Sequence, residues 1–196
     1  GGVGGTIRLL KNITGLWLVQ ECRRIWSQAG HDLSWTELTR RAAEAPPLAA
    51  FVDPDDASFL APTDMPAAIR DYCRRTGQTV PESEGAIIRT AIESIALRSR
   101  QVLGWVEELI GQKIAVLHIV GGGSQNHELC QATADACGVR VVAGPAEATA
   151  IGNVMLQAVT AGTVGSIAEA RQIVARSFEV KEFAPHDAER WQEAFA

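Results

Sequence analysis

Residues 114–143 constrain the fold more than any other stretch. Ile114-Ala115-Val116-Leu117-His118-Ile119-Val120 is rich in β-branched residues and apolar except at His118, the pattern of a strand covered on both faces. Three glycines follow, Gly121-Gly122-Gly123, then Ser124-Gln125-Asn126 and a helix expected to run to Cys137, with Gly138 just past its end. Val139-Arg140-Val141-Val142-Ala143 reads as a second strand, and Gly144-Pro145-Ala146-Glu147 turns the chain into another helix over roughly 147–161. Strand, glycine turn, helix, strand, helix is α/β organisation, because consecutive parallel strands need such a crossover.

Upstream, helical periodicity dominates. Thr6-Ile7-Arg8-Leu9-Leu10-Lys11 reads as a short strand leaving a glycine turn. From Asn12 to Ala29 a helix is expected, with Asn12 as its N-cap, apolar Ile13, Leu16, Trp17 and Val19, and Gly30 closing it. Ser34-Trp35-Thr36-Glu37 is a capping box for a second helix that stops at Pro46-Pro47. Residues 46–62, with Asp53-Pro54-Asp55-Asp56, form a loop of the length that often serves function. A third helix is expected from about Asp64 to Arg75, before Gly77. A longer one runs from Pro81-Glu82-Ser83 to Ile110, ended by Gly111, with Ile87, Ile88, Ala91, Ile95, Val102 and Val106 as its apolar stripe. Ser166-Ile167-Ala168-Glu169 boxes one more helix.

Composition narrows the function classes. With 196 residues, 46% of them hydrophobic and 21% charged, the chain has enough material for one large domain and is not a disordered tail. No apolar run reaches the roughly 18–20 residues of a spanning helix, so no membrane is expected as a partner. A net charge of −5 argues against a nucleic-acid surface. Cys22, Cys73, Cys130 and Cys137 have no paired spacing and read as buried, reduced thiols of a cytoplasmic protein. His127 and Cys130 stand three residues apart on one expected helix, but no second pair joins them, so no metal site is expected. The chain opens Gly1-Gly2-Val3-Gly4-Gly5, without an initiator Met or a signal-peptide pattern. It reads as if it starts inside a longer protein.

The glycine turn has two readings. Glycines at the carboxyl end of a strand let a ligand reach the backbone, and the helix after them offers free N–H groups that suit phosphate. Alternatively, the glycines solve a packing problem. A Walker A loop is excluded, because the only lysines are Lys11, Lys113 and Lys181 and none follows the turn at the required spacing. A dinucleotide fingerprint is excluded too: Asn126 stands where its third glycine belongs, and the next strand ends Val142-Ala143-Gly144 without an acidic residue. Asn12 and Gln20, eight residues apart on the first expected helix, fall within about 80° of each other around its axis. Such a pair is either solvated or reaches into a site, and the pattern alone favours solvation.

Five blocks carry a resemblance to a known family. They are Leu10-Lys11-Asn12-Ile13-Thr14-Gly15-Leu16-Trp17-Leu18, Pro81-Glu82-Ser83, Leu117-His118-Ile119-Val120-Gly121-Gly122-Gly123-Ser124-Gln125-Asn126, Thr133-Ala134-Asp135-Ala136-Cys137-Gly138, and Val142-Ala143-Gly144-Pro145-Ala146-Glu147-Ala148-Thr149-Ala150-Ile151-Gly152-Asn153. Together they resemble the FGGY carbohydrate kinases over nearly the whole chain. The resemblance implies an actin-like, ribonuclease-H-like α/β ATPase domain, incomplete, with residues 30–80 as a helical and loop insertion in a partial C-terminal domain over 1–196. It implies that Asn12 contacts the sugar, that Gln20 and Gly122 contact ATP, and that Gly121, Gly123, Ser124 and Asn126 line the nucleotide site. The implied reaction is ATP-dependent phosphorylation of the 1-hydroxyl of L-rhamnulose, with Mg2+, in the cytoplasm.

The family's catalytic base is an aspartate in a Gly/Ser-His-Asp-Thr-type segment, and no such segment occurs here. Neither His31-Asp32 nor His186-Asp187 has the right following residues, so neither is promoted. The expectation is a chain that supplies the nucleotide side of a kinase and is inactive alone. Another ketose is the alternative substrate, and a non-catalytic nucleotide-binding module of the same fold is the alternative function. A sheet lacking its opening strands would leave an uncovered edge, which favours self-association.

Overall fold

Side-chain caps set most helix starts. In the structure, a computed structural model that describes residues 3–195, Ser34 Oγ accepts the Glu37 N–H to open α2 (Trp35–Glu44). Asp64 accepts the Ala67 N–H to open α3 (Met65–Arg75), and Ser83 accepts the Ala86 N–H to open α4 (Glu84–Ile110). Gly1, Gly2 and Ala196 lie outside the described residues, including the first two glycines of the opening run. Gly111 ends α4 in the left-handed conformation at φ 68°, as a chain turning out of a helix requires.

The first helix, α1 (Trp17–Gln28), begins four residues later than the sequence suggests, and Leu16 rather than Asn12 precedes it without a side-chain cap. The reason lies in Asp55. Its carboxylate accepts the Thr14 N–H at 2.8 Å and the Lys11 ammonium at 3.3 Å, which fastens residues 11–14 across the chain. The strand expected at 6–11 does not form either. Among the described residues no strand lies beside it to satisfy its backbone groups, and Ile7 stands 89% exposed.

Helix α4 is the central pillar. Between Gly85 and Ala96 it buries ten residues, whereas after that only Leu103 is buried. Helix α2 packs along it so closely that a Cβ on Gly85 would sit 2.3 Å from the Arg41 carbonyl oxygen. The 46–62 loop, with a short 3-10 turn at Ala57–Phe59, is tied to the same helix. Glu93 accepts the Leu48 N–H, Ser94 Oγ accepts the Val52 N–H, and Arg98 grips Asp55. Its length serves packing, since Phe59 at 0% exposure lies in the main core with Leu18, Met65, Ile69 and Ile87.

After α4 come β1 (Val116–Ile119), a 3-10 turn at Gly121–Gln125, α5 (His127–Cys137) and β2 (Arg140–Ala143). The two strands are parallel, with Val116 opposite Arg140 and Ile119 opposite Ala143. This is the crossover read from residues 114–143. Two elements follow that the sequence reading did not anticipate: β3 (Lys181–Phe183), antiparallel to β2, and α8 (Ala188–Phe195). The order β1-β2-β3 makes β1 an edge strand. Separately, its side chains are not covered on both faces: His118 is exposed and its neighbours are only half-buried. Helices α6 (Ala148–Thr160) and α7 (Ile167–Ser177) pack on each other, and α6 buries no residue at all.

Candidate functional site

Both βα turns meet at the carboxyl ends of the parallel strands. Gly144 N–H donates to the Ile119 carbonyl at 2.8 Å, and Gly121 N–H donates to the Pro145 carbonyl at 3.4 Å. Gly121 adopts φ 74°, and its carbonyl accepts the buried Ser124 hydroxyl at 2.7 Å, which closes the turn on itself. Asn126 caps α5 by accepting the Leu129 N–H at 3.0 Å. One free donor of that helix end is thus already taken, and the Asn126 amide group keeps its own N–H donors.

Beside this turn lies a cleft of about 710 Å³, lined by Gly122, Gly123, Gln125 and Asn126 together with Gly15, Leu16 and Gln20. Trp35 and Thr39 of α2, Ile95 and Leu129 complete its lining. Gly122 has no conformational need to be glycine: its φ is not left-handed, and a Cβ would meet nothing within 4 Å. The missing side chain therefore leaves room toward the cleft and not toward the protein. That favours the ligand reading of the turn over the packing one. On the far side, Ser124 and Gln125 line a second cleft of about 320 Å³ with His127, Gly144 and Lys181.

The candidate residues separate accordingly. Gln20, Gly122, Gly123 and Asn126 line one cleft; Ser124 faces the other side, and Gly121 shapes the turn without lining either. Asn12 is exposed in the segment before α1 and does not line the large cleft, so the helical angle between it and Gln20 has no structural meaning. Two contributors escaped the sequence reading. In the sequence Trp35 stands out only as part of a capping box. Asp55, hidden in an acidic proline loop, holds the segment leading to Gly15 and Leu16. Burial opposes its charge, but the Thr14 N–H, Arg98 and Lys11 outweigh it and hold the carboxyl at about 2, below the ordinary 3.8.

Cysteines and histidines take no part in the large cleft. All four thiols are free, and burial raises Cys130 to about 11 and Cys137 to about 12, which keeps them protonated. Cys130 Sγ points at the Gly123 carbonyl at 3.7 Å, while His127 contacts Lys181 at 3.1 Å. His31 pairs with Glu84, and Asp187 lies near Arg190.

A model of the FGGY family of carbohydrate kinases, C-terminal domain, matches residues 1–161. The chain belongs to the FGGY family. Rhamnulokinase of Bacteroides thetaiotaomicron is 50% identical over 195 residues, which is 100% of this chain and 39% of that protein. Rhamnulokinase of Pectobacterium carotovorum is 43% identical, with 94% of this chain and 36% of the relative covered. That of Bacillus subtilis is 39% identical, with 96% and 38% covered. The chain spans about two fifths of the length of these FGGY relatives, or 39% for the first. The crystal structure of xylulose kinase from Rhodospirillum rubrum superposes with a TM-score of 0.57 at 19% identity, covering 91% of this chain and 35% of that one. The likeness shows the FGGY kinase fold, a mixed helix-and-sheet domain, as the sequence resemblance implied.

Proposed function

We propose that this chain is the C-terminal portion of a rhamnulokinase and supplies the nucleotide side of its site. The reaction is transfer of the γ-phosphoryl group of ATP to the 1-hydroxyl of L-rhamnulose, giving L-rhamnulose 1-phosphate in cytoplasmic rhamnose catabolism. The observation that carries this reading is the joint lining of one 710 Å³ cleft by Gln20, Gly122, Gly123 and Asn126. Similarity to rhamnulokinases over essentially the whole chain supports the choice of sugar.

In this reading Gln20 and the Gly122–Gly123 backbone hold the nucleotide, with the Asn126 amide as a further donor; Gly121 and Ser124 keep the turn in shape. Asn12 contacts the sugar from the segment ahead of α1. No residue of the chain is given the role of catalytic base. Mg2+ belongs to the proposal as the ion carried on the ATP phosphates. Among the described residues no group of three or more His, Cys, Asp or Glu gathers to hold a metal ion, and no residue of this chain is assigned to the Mg2+. Phosphoryl transfer rests on positioning and charge stabilisation around the phosphates, which one side of a cleft cannot supply. The chain alone is therefore inactive as a kinase. Residues 30–80 are the insertion within this domain, returning through α2 and α3 to the common core.

The test is an ATP-coupled assay of the full-length protein against a ketose panel, with Gly122→Val and Asn12→Ala. Gly122→Val raises the KM for ATP far more than that for sugar, and Asn12→Ala does the reverse. Unchanged ATP kinetics in Gly122→Val would remove the role given to the turn. ATP binding without transfer to any ketose would favour the non-catalytic module. The open edge of β1 is also proposed to recruit a second copy of the chain; a monomer by sedimentation at high concentration would refute that.

A further inference from the structure

An aromatic side chain lines the large cleft beside the glycine turn. Trp35 is the first residue of α2, fixed there by the Ser34 cap, and it lines the cleft while remaining 48% exposed. The Arg23 guanidinium lies over its ring, 4.9 Å from the centroid. Arg23 is itself held, since its Nε donates to the Leu33 carbonyl at 2.7 Å and its Nη2 lies 3.6 Å from Asp32. A pinned cation over the ring orients the indole, and its 48% exposure leaves it surface to offer in the cleft it lines. The remaining tryptophans are differently engaged. Trp26 and Trp191 are buried, Trp17 donates to the Phe59 carbonyl, and Trp105 lies under Arg98. Lining the same cleft is Gly122, where no side chain narrows the gap.

Resting on the nucleotide reading of this cleft, we propose that Trp35 is the stacking platform for the nucleobase of ATP, with Arg23 as its positioning residue. A flat indole and a side-chain-free backbone form a slot for a flat, apolar-faced group, and a purine is the part of ATP with that shape. The sugar and phosphates then extend along Gln20 and the glycine turn. The insertion carrying α2 thereby contributes directly to nucleotide affinity.

Titration calorimetry of the full-length protein with ATP and with inorganic tripolyphosphate, which has no base, separates the possibilities. Trp35→Ala weakens ATP binding by about ten-fold or more, the range of one lost base–aromatic stack. It leaves tripolyphosphate binding unchanged. Trp35→Phe retains most of the ATP affinity. Trp35→Leu, which keeps apolar bulk without a π face, behaves like Trp35→Ala and serves in its place if that variant does not fold. Arg23→Met lowers ATP affinity to a smaller degree and leaves tripolyphosphate alone. Unchanged ATP binding in Trp35→Ala, or equal loss for ATP and tripolyphosphate, overturns the stacking role. If Gly122→Val still weakens ATP, the nucleotide cleft survives that failure; if neither variant affects ATP, the cleft reading itself falls.

Discussion

Leu18, Phe59, Met65, Ile69 and Ile87 of the helical region are each buried to 1% exposure or less, whereas α6 in the following half buries nothing. The helical region closes one continuous core around α4 and ties even its longest loop to that helix by hydrogen bonds. The sheet region rests on three strands of three or four residues and a small cluster of Cys130, Ala134, Val141 and Ala143. Helix α5 joins the two, because Leu129, Ala132 and Ala136 enter the main core while Cys130 and Ala134 enter the small one. The large cleft lies along this join, with Gln20 and Trp35 from the helical side and the glycine turn from the sheet side. Rigidity on one side and a thin sheet on the other means that mutations should act very unequally across the site.

The largest effect is expected at Phe59, which is fully buried and whose ring centroid lies 5.6 Å from that of Tyr72. Phe59→Ala should destabilise the chain by about 3–5 kcal/mol, measured by urea unfolding, through lost burial and a cavity. A loss under about 1 kcal/mol would mean that the helical core is not the unit described here. Gly85→Ala comes next. The new Cβ would press on the Arg41 backbone, not on a flexible side-chain tip, so α2 must move off α4. A cost of about 1–3 kcal/mol is expected, as for other overpacked contacts. Because α2 carries Trp35, ATP affinity should fall with it.

Local signals made much of this fold readable from sequence. Ser34, Asp64, Ser83, Asn126 and Ser166 each cap the helix they announce, because a cap is a contact between residues two or three positions apart. The parallel β1–β2 pair was legible for the same reason: a glycine turn and a helix of the right length leave few other arrangements. Long-range contacts were not. Asp55 meets Thr14 and Lys11 from more than forty positions away, and that contact, invisible in periodicity, fastens the segment read as strand and helix. Strand β3 has only three residues, too few for an alternating pattern to register, and exists because β2 offers it a partner. At the site, the glycine turn announced itself, but Trp35 joined it only through the packing of α2 on α4.

Asp55 also gives the helical region a pH response. Its folded carboxyl titrates at about 2, below the ordinary 3.8. The stability it contributes is therefore fully present above about pH 4 and is lost as pH falls toward 2. Asp55→Asn should remove on the order of 1–2 kcal/mol at neutral pH and flatten the wild-type decline across that window. The comparison is read as wild type minus variant, since Asp56 and Glu37 also titrate at about 2. Identical slopes for the two proteins would show that the Lys11–Asp55–Arg98 contacts do not fasten the segment ahead of α1.

The smallest effect is expected on α6. Val154 is 62% exposed, and α6 packs mainly on α7 rather than on either core. Val154→Asp places a charge on an apolar helix surface already facing water, so it removes no buried contact and leaves no cavity. Such exposed substitutions stay within about 0.5 kcal/mol, and urea unfolding of this chain should not distinguish the variant from wild type. A loss of more than about 1 kcal/mol would mean that α6 is covered in solution, by a second copy or by the rest of the domain. The same variant in the full-length protein then sharpens the contrast. If residues beyond this chain cover α6, the charge becomes buried and unpaired there, and the cost rises to several kcal/mol. Equal, negligible costs in both would establish α6 as a solvent-facing helix.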